Sequence, residues 1–231
     1  MIHFETSNNK KIVVFSENKP ISSEIITFLE TQKYIRFDDT FNQKIDNLPD
    51  SIEEIRLGYN FNQEVLKWSK NLKKLVIFGN FNFPLSNLPK SLTDITIGYQ
   101  YNFELNLPDK VENLTILGKF NQKIDNLPDS IKRLVFSVSS FNQKITKYPK
   151  SLEKLYLSDC FDYPLDNLPL LLEFLYVGKY FNYPLDFLPP NLKTLKLGFC
   201  FNYPLDNLPS SVKKIEIYNP KYCYKIPEKF Y

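Results

Sequence analysis

Apolar residues in this chain of 231 return in blocks of 20, marked by a Phe-Asn pair or a close relative at Phe41, Phe61, Phe81, Tyr101, Phe120, Phe141, Phe161, Phe181 and Phe201. The unit after Tyr101 is one residue short, and the unit after Phe120 is one residue long. Counting from the aromatic residue as position 1, apolar side chains fall at positions 1, 5, 8, 12, 15 and 17, with Pro usually at 9. In the last unit these are Phe201, Leu205, Leu208, Val212, Ile215 and Ile217, with Pro209. Positions 15 and 17 alternate with variable residues, which is the period of a strand. The Leu-Pro step pushes the residue before Pro toward extended backbone. Gly58, Gly98, Gly178 and Gly198 directly follow position 17, where Gly lets the chain leave a strand with unusual dihedrals. A unit this short, holding a Pro and a turn, has no room for a long helix. Each unit predicts one short strand and a return path of turns, polyproline segments or a single 3₁₀ turn.

Residues 41–52 and 120–131 both read FNQKIDNLPDSI, 79 positions apart, which is four units less one residue. Nine units span 41–220. One unit cannot bury its own apolar face, but stacked units can, and their strands then form a parallel sheet along one side. Positions 12, 15 and 17 spell L-x-x-L-x-L, as in Leu152, Leu155 and Leu157, the strand segment of a leucine-rich repeat.

The unit F-N-x-P-L-D-x-L-P-x-S-L-x-x-L-x-L-G, present here as FNYPLDNLPSSVKKIEI and FNQKIDNLPDSIKRLVF, resembles the FNIP repeat. That repeat is a leucine-rich-repeat variant of social amoebae and amoeba-infecting giant viruses. The resemblance implies a repeat solenoid with a parallel β-sheet on the concave side, an irregular convex side of turns, and little α-helix apart from an N-terminal cap. The second unit departs most from the pattern, with Trp68 for Leu and Ser69 for Pro. It is expected to stack all the same, because Trp fills an apolar slot.

This divides the chain into an N-terminal cap (1–40), nine repeats (41–220) and a C-terminal cap or degenerate repeat (221–231). In the first segment Ser22 or Ser23 can cap a short helix running to about Glu30, and YIRF (34–37) imitates a repeat strand. Some FNIP proteins carry an F-box ahead of the repeats for docking to a ubiquitin-ligase scaffold. Forty residues with one predicted helix are too short for that module.

Composition narrows the function classes. The chain has no Ala and is rich in Phe, Tyr, Ile and Asn, which argues against a helical architecture. The net charge is +3, with both signs spread along the chain, too mild and mixed to imply a polyanion partner. No apolar run reaches membrane-spanning length, and MIHFETSNNKKIVVF makes a poor signal peptide. Cys160 and Cys200 share a repeat position two units apart, about 10 Å by strand spacing and beyond disulfide reach. With Cys223 the count is odd, so reduced thiols and a cytoplasmic location are expected.

Catalytic signatures are missing: there is no G-x-S-x-G, P-loop or dinucleotide fingerprint, and the single histidine, His3, sits in a terminus expected to fray. The chain is therefore read as non-enzymatic, with no cofactor and no metal. The Asn at position 2 (Asn42, Asn62, Asn82, Asn102, Asn121, Asn142, Asn182 and Asn202) reads as a ladder satisfying backbone groups in the turn. Asp166, Asp186 and Asp206 recur at position 6 of consecutive units. They would either gather a cation such as Ca²⁺ or bond nearby backbone N–H groups. Leu66, Ser86 and Thr146 interrupt that position elsewhere, which favours the second role. Tyr163, Tyr183 and Tyr203 at position 3, beside Pro164, Pro184 and Pro204, suggest mutual aromatic packing or a peptide-binding ridge.

The strand residues expected to face solvent are positions 14 and 16. They vary along the array from Glu54 and Arg56 through Lys74 and Val76 to Lys214 and Glu216. Arg133, Val135, Lys154, Tyr156, Phe174, Tyr176 and Lys196 should lie side by side. Aromatic residues flanked by cations have the composition of a protein-binding hot spot. The expected function is a protein–protein interaction module presenting this face to an unknown protein partner, with substrate recognition for a ubiquitin-ligase-type assembly as one form of it. Nucleic-acid or anionic-surface binding through the scattered lysines is the alternative.

Overall fold

The computed structural model describes residues 2–7 and 9–226. Two compact units make up the chain, residues 1–114 and 115–231. In the first, β1 (Ile2–Ser7) and β2 (Lys10–Phe15) form an antiparallel hairpin. From β2 onward the strands are parallel, in the order β3 (Tyr34–Phe37), β4 (Glu54–Leu57), β5 (Lys74–Ile77) and β6 (Asp94–Ile97). Between β2 and β3 lies the helix α1 (Ser23–Leu29), with Ser22 as its N-cap accepting from the Ile25 N–H at 3.4 Å. The hairpin strand β1 has no counterpart in the repeat pattern, and it places His3 opposite Val14 rather than in a frayed end.

β7 (Asn113–Gly118) carries the chain from the first unit into the second. In the second unit β8 (Arg133–Ser139), β9 (Lys154–Tyr156), β10 (Phe174–Tyr176), β11 (Thr194–Leu197) and β12 (Lys214–Ile217) pair in parallel, each with the next. Both units are thus parallel-strand β-solenoids with one short strand per repeat. Of the C-terminal stretch, residues 227–231 lie outside the described residues.

The return path is built from hydrogen-bonded turns. The N–H of position 12 donates to the carbonyl of position 9, as Leu92 to Pro89 at 3.0 Å and Leu192 to Pro189 at 3.1 Å. The N–H of position 1 donates to the carbonyl of position 18 of the preceding repeat, as Phe61 to Gly58 and Phe161 to Ser158. Repeat strands such as β5 and β11 also begin with a shared acceptor. The Glu53 carbonyl takes both Lys73 and Lys74 N–H groups at 2.8 and 3.0 Å, and the Glu173 carbonyl takes those of Lys193 and Thr194 at the same two distances. These bonds join each repeat to the next, so the backbone of one unit is satisfied only when its neighbour is in place.

Inside, position 1 forms an aromatic file. Phe41, Phe61, Phe81 and Tyr101 stack at 6.0–6.4 Å in the first unit, and Phe141, Phe161, Phe181 and Phe201 at 6.1–6.4 Å in the second. All of these are fully buried. Trp68 does fill the Leu slot: it is buried, and its Nε1–H donates to the Ser86 carbonyl at 3.0 Å.

The glycines after position 17 are needed for a different reason than the expected one. Positive φ among the glycines belongs to Gly79 and Gly118, whereas Gly178 and Gly198 sit in ordinary backbone. A Cβ on Gly178 would lie 1.7 Å from the Ser158 carbonyl oxygen, and one on Gly198 would lie 2.1 Å from the Gly178 oxygen. Close backbone stacking between repeats, not dihedral freedom, excludes a side chain there. Gly178→Ala is expected to cost about 1–3 kcal/mol, read as a lower urea midpoint with unchanged slope; an unshifted midpoint would show that the backbone yields.

Candidate functional site

Parallel pairing in register sets two rows of outward residues on the second unit. One is Arg133, Lys154, Phe174, Thr194 and Lys214; the other is Val135, Tyr156, Tyr176, Lys196 and Glu216. The sheet therefore brings together all seven residues expected from the pattern. Between adjacent strands at about 4.8 Å spacing, the aromatic side chains meet diagonally. The Tyr156 and Phe174 rings stack with centroids 4.4 Å apart and 26° between planes, and the Arg133 guanidinium lies 5.3 Å from the Tyr156 ring on its other side. The result is a half-buried Arg–Tyr–Phe sandwich, with exposed Lys154 paired across from both Arg133 and Phe174.

Two members behave differently from the expectation. Val135 is 8% exposed and belongs to the buried set; its short side chain lies beside the larger Tyr156 ring and cannot clear it. In the first unit Val76 and Glu54, both at outward positions, are buried as well. Lys196 is not a free cation: its Nζ pairs with Glu216 at 2.7 Å. Glu216 also takes Lys214 at 2.7 Å, and hydrogen bonds from Lys196 and then Lys214 hold its carboxyl down at about 2.

Tyr176 donates its hydroxyl to Asp159 at 3.1 Å. Burial, and then the Asp159 carboxylate, push its phenol up to about 12. A depression of about 240 Å³ opens here between Val135, Val138, Tyr156, Asp159 and Tyr176. Val138 is 81% exposed and holds φ +47°, a strained conformation for a β-branched residue. It stands in the unit that carries the extra residue, so the long repeat was the available sequence signal for this feature.

The ladder residues do structural work. Asn18 Oδ1 accepts the Asn42 N–H, Asn42 that of Asn62, and Asn62 that of Asn82, at 2.8–3.0 Å; in the second unit Asn142 accepts from Asp162 and Asn182 from Asn202. Asn18, ahead of the repeats, was not foreseen as its first rung. Asp46 and Asp125 each accept two N–H groups, from Leu66 and Lys67 and from Thr146 and Lys147, and so bond the following repeat rather than their own turn. Asp166, Asp186 and Asp206 are exposed, and they do not gather, with any His, Cys or Glu among the described residues, into a group of three or more placed to share an ion. Tyr163, Tyr183 and Tyr203 pack on the Phe of their own repeat at 5.7–6.4 Å, with 55–60° between ring planes. The cysteines are free thiols.

The corresponding face of the first unit is ionic. Buried Glu54 takes Lys10 at 2.9 Å and Arg56 at 2.8 Å, with Lys74 at 4.0 Å, while Arg36 pairs with Glu5 at 2.6 Å. Most of the charged groups named here pair with one another, and the aromatic cluster belongs to the second unit.

The FNIP repeat family model matches residues 41–69, 120–160, 161–200 and 181–219, together more than half of the chain. The chain belongs to the FNIP repeat family. Among solved structures, this FNIP protein is similar to CroV588, described as a novel circular LRR protein, at 26% identity and a TM-score of 0.62. The match covers 99% of the FNIP chain and 43% of CroV588, so the chain spans less than half the length of that neighbour. The search of curated proteins found no match. No helix among the described residues of the FNIP protein is long and apolar enough to cross a membrane.

Proposed function

We propose that this chain is a non-enzymatic protein-interaction module that captures a partner on the outward face of β8–β11. The observation that carries the reading is the Arg133–Tyr156–Phe174 sandwich, half-buried on a sheet whose inward positions are apolar in every repeat. Rigid aromatic side chains flanked by cations concentrate binding energy when a partner excludes water from them. The depression beside Tyr156 and Tyr176 adds a recess of the size of one side chain. Substrate recognition for a ubiquitin-ligase-type assembly, in the cytoplasm, is a finer form of the same proposal.

Affinity capture from a lysate of the source organism tests it, with the wild-type chain beside a Tyr156→Ala/Phe174→Ala variant. The side chains are outward and half-exposed, so the variant is expected to keep its strand signal by circular dichroism. A protein retained by wild type should be lost, with affinity down by about thirtyfold or more, equivalent to about 2 kcal/mol. Unchanged capture by the folded variant would refute the site. Recovery of nucleic acid that falls steeply with salt and ignores the variant would replace this reading with an electrostatic one.

A further inference from the structure

The repeat supplies its own control for unusual surface residues. With the short unit aligned on its Leu107-Pro108 step, position 7 is polar in the other eight units, being Asn in six of them, including Asn167 and Asn207, and Lys at Lys67 and Lys147; the eighth unit has Phe187. Positions 10 and 11 are both polar in seven of the other units, as Asp50 and Ser51, Lys150 and Ser151 or Ser210 and Ser211, and the eighth has Pro190 and Asn191, yet the seventh unit has Leu170 and Leu171. These exceptions gain no burial inside the chain. Phe187 is 88% exposed, Leu170 68% and Leu171 51%.

Two of them also coincide in space. Leu170 and Phe187 line one cleft of about 710 Å³ on the return segments, with Leu168, Leu188 and Pro190 completing its apolar wall. Its charged lining residues are Asp166 and Asp186, both exposed. Neither Lys nor Arg lines it. An exposed apolar cluster at positions that the same fold keeps polar elsewhere is more than scatter on a surface. The acidic rim selects among partners by charge complementarity, because a like-charged segment would be repelled and a basic one drawn in.

We propose that this cleft is a second protein-docking site, distinct from the sheet face, and that its occupant is a partner segment with apolar side chains flanked by lysine or arginine. Phe187 and Leu170 supply the apolar contact, and Asp166 and Asp186 pair with the flanking cations.

The probe is a fluorescein-labelled synthetic peptide of a dozen residues, with Leu and Phe between two lysine pairs, beside the same peptide with glutamates in place of lysines. Anisotropy titration of the full chain should show saturable binding of the lysine peptide only. Leu170→Lys/Phe187→Asn restores residues that neighbouring units carry at the same positions, so it should fold, and it should weaken binding at least about tenfold. Asp166→Lys/Asp186→Lys, at two exposed sites, provides an independent variant and should abolish the preference for the lysine peptide. Equal binding of the two peptides, or binding unaffected by both variants, would overturn the proposal. So would sedimentation showing a wild-type dimer that Leu170→Lys/Phe187→Asn dissociates, since the cleft would then be covered by a second copy. The Tyr156→Ala/Phe174→Ala variant should bind the peptide as wild type does, which separates this site from the sheet face.

Discussion

Replacing Phe161 with Ala is expected to lower the unfolding free energy by about 3–5 kcal/mol, the range for deleting a buried aromatic side chain. Phe161 is fully buried between Phe141, 6.1 Å away at 8°, and Phe181, 6.4 Å away at 14°, with the Tyr163 ring edge at 6.2 Å. Removing it leaves two facing rings without a partner and a void that the hydrogen-bonded repeats cannot collapse into. The backbone around it is tied on both sides, through the Phe161 N–H on Ser158 and the Tyr180 N–H on Asp159. Because a solenoid's stability is a sum of unit and interface terms, the loss weakens two interfaces at once. Urea unfolding followed by circular dichroism measures it. A cost below about 1 kcal/mol would mean that the aromatic file is not what couples the repeats. A biphasic transition would report that the array has separated at this point.

Glu54→Gln should cost about 2 kcal/mol near neutral pH, below the full penalty for breaking a buried ion pair because its cationic partners keep access to water. Glu54 is 3% exposed, while the Lys10, Arg56 and Lys74 side chains retain 40%, 34% and 42% of their exposure. Burial pushes its carboxyl up, but the hydrogen bonds from Lys10 and Arg56 outweigh burial and hold it below the ordinary carboxylate range. A depressed folded value means that the stabilisation is fully present above the unfolded value, about 4.3, and is lost as pH falls through the folded one. Other carboxylates, Glu53 and Asp125 among them, are also held low and titrate in the same acid window. The informative quantity is therefore the difference between wild type and Glu54→Gln. It should be largest at neutral pH and shrink in acid. A difference that stays the same from neutral pH to pH of about 3 would show that the ion cluster contributes nothing.

Legibility followed the repeat. Position-1 aromatics, the Trp68 slot and the Asn ladder were readable because a period forces like residues into like environments, and the helix ahead of the repeats because Ser22 is a capping residue. Features that break the period were not readable. β1 carries no repeat signature, and its antiparallel pairing with β2 is a contact made only in the folded chain. The glycines after the strand were legible as glycines, but the reason for them, a neighbouring carbonyl within 2.1 Å of any added Cβ on Gly178 or Gly198, needed coordinates. The candidate site was half legible. Strand alternation put its seven residues on one face, yet alternation cannot say that Val135 is overshadowed by Tyr156 or that Lys196 is neutralised by Glu216.

By itself, the sequence determined the repeat, its strand, its inward and outward positions and the family, because each follows from spacing along the chain. Only the tertiary structure decided which outward residues remain available. Availability depends on distances across strands 20 or more residues apart, where ring stacking, ion pairing and side-chain size settle what a partner can reach. The same holds for the cleft at Phe187, whose unusual residues are visible in the repeat but whose acidic rim and open wall exist only once the seventh and eighth units are stacked.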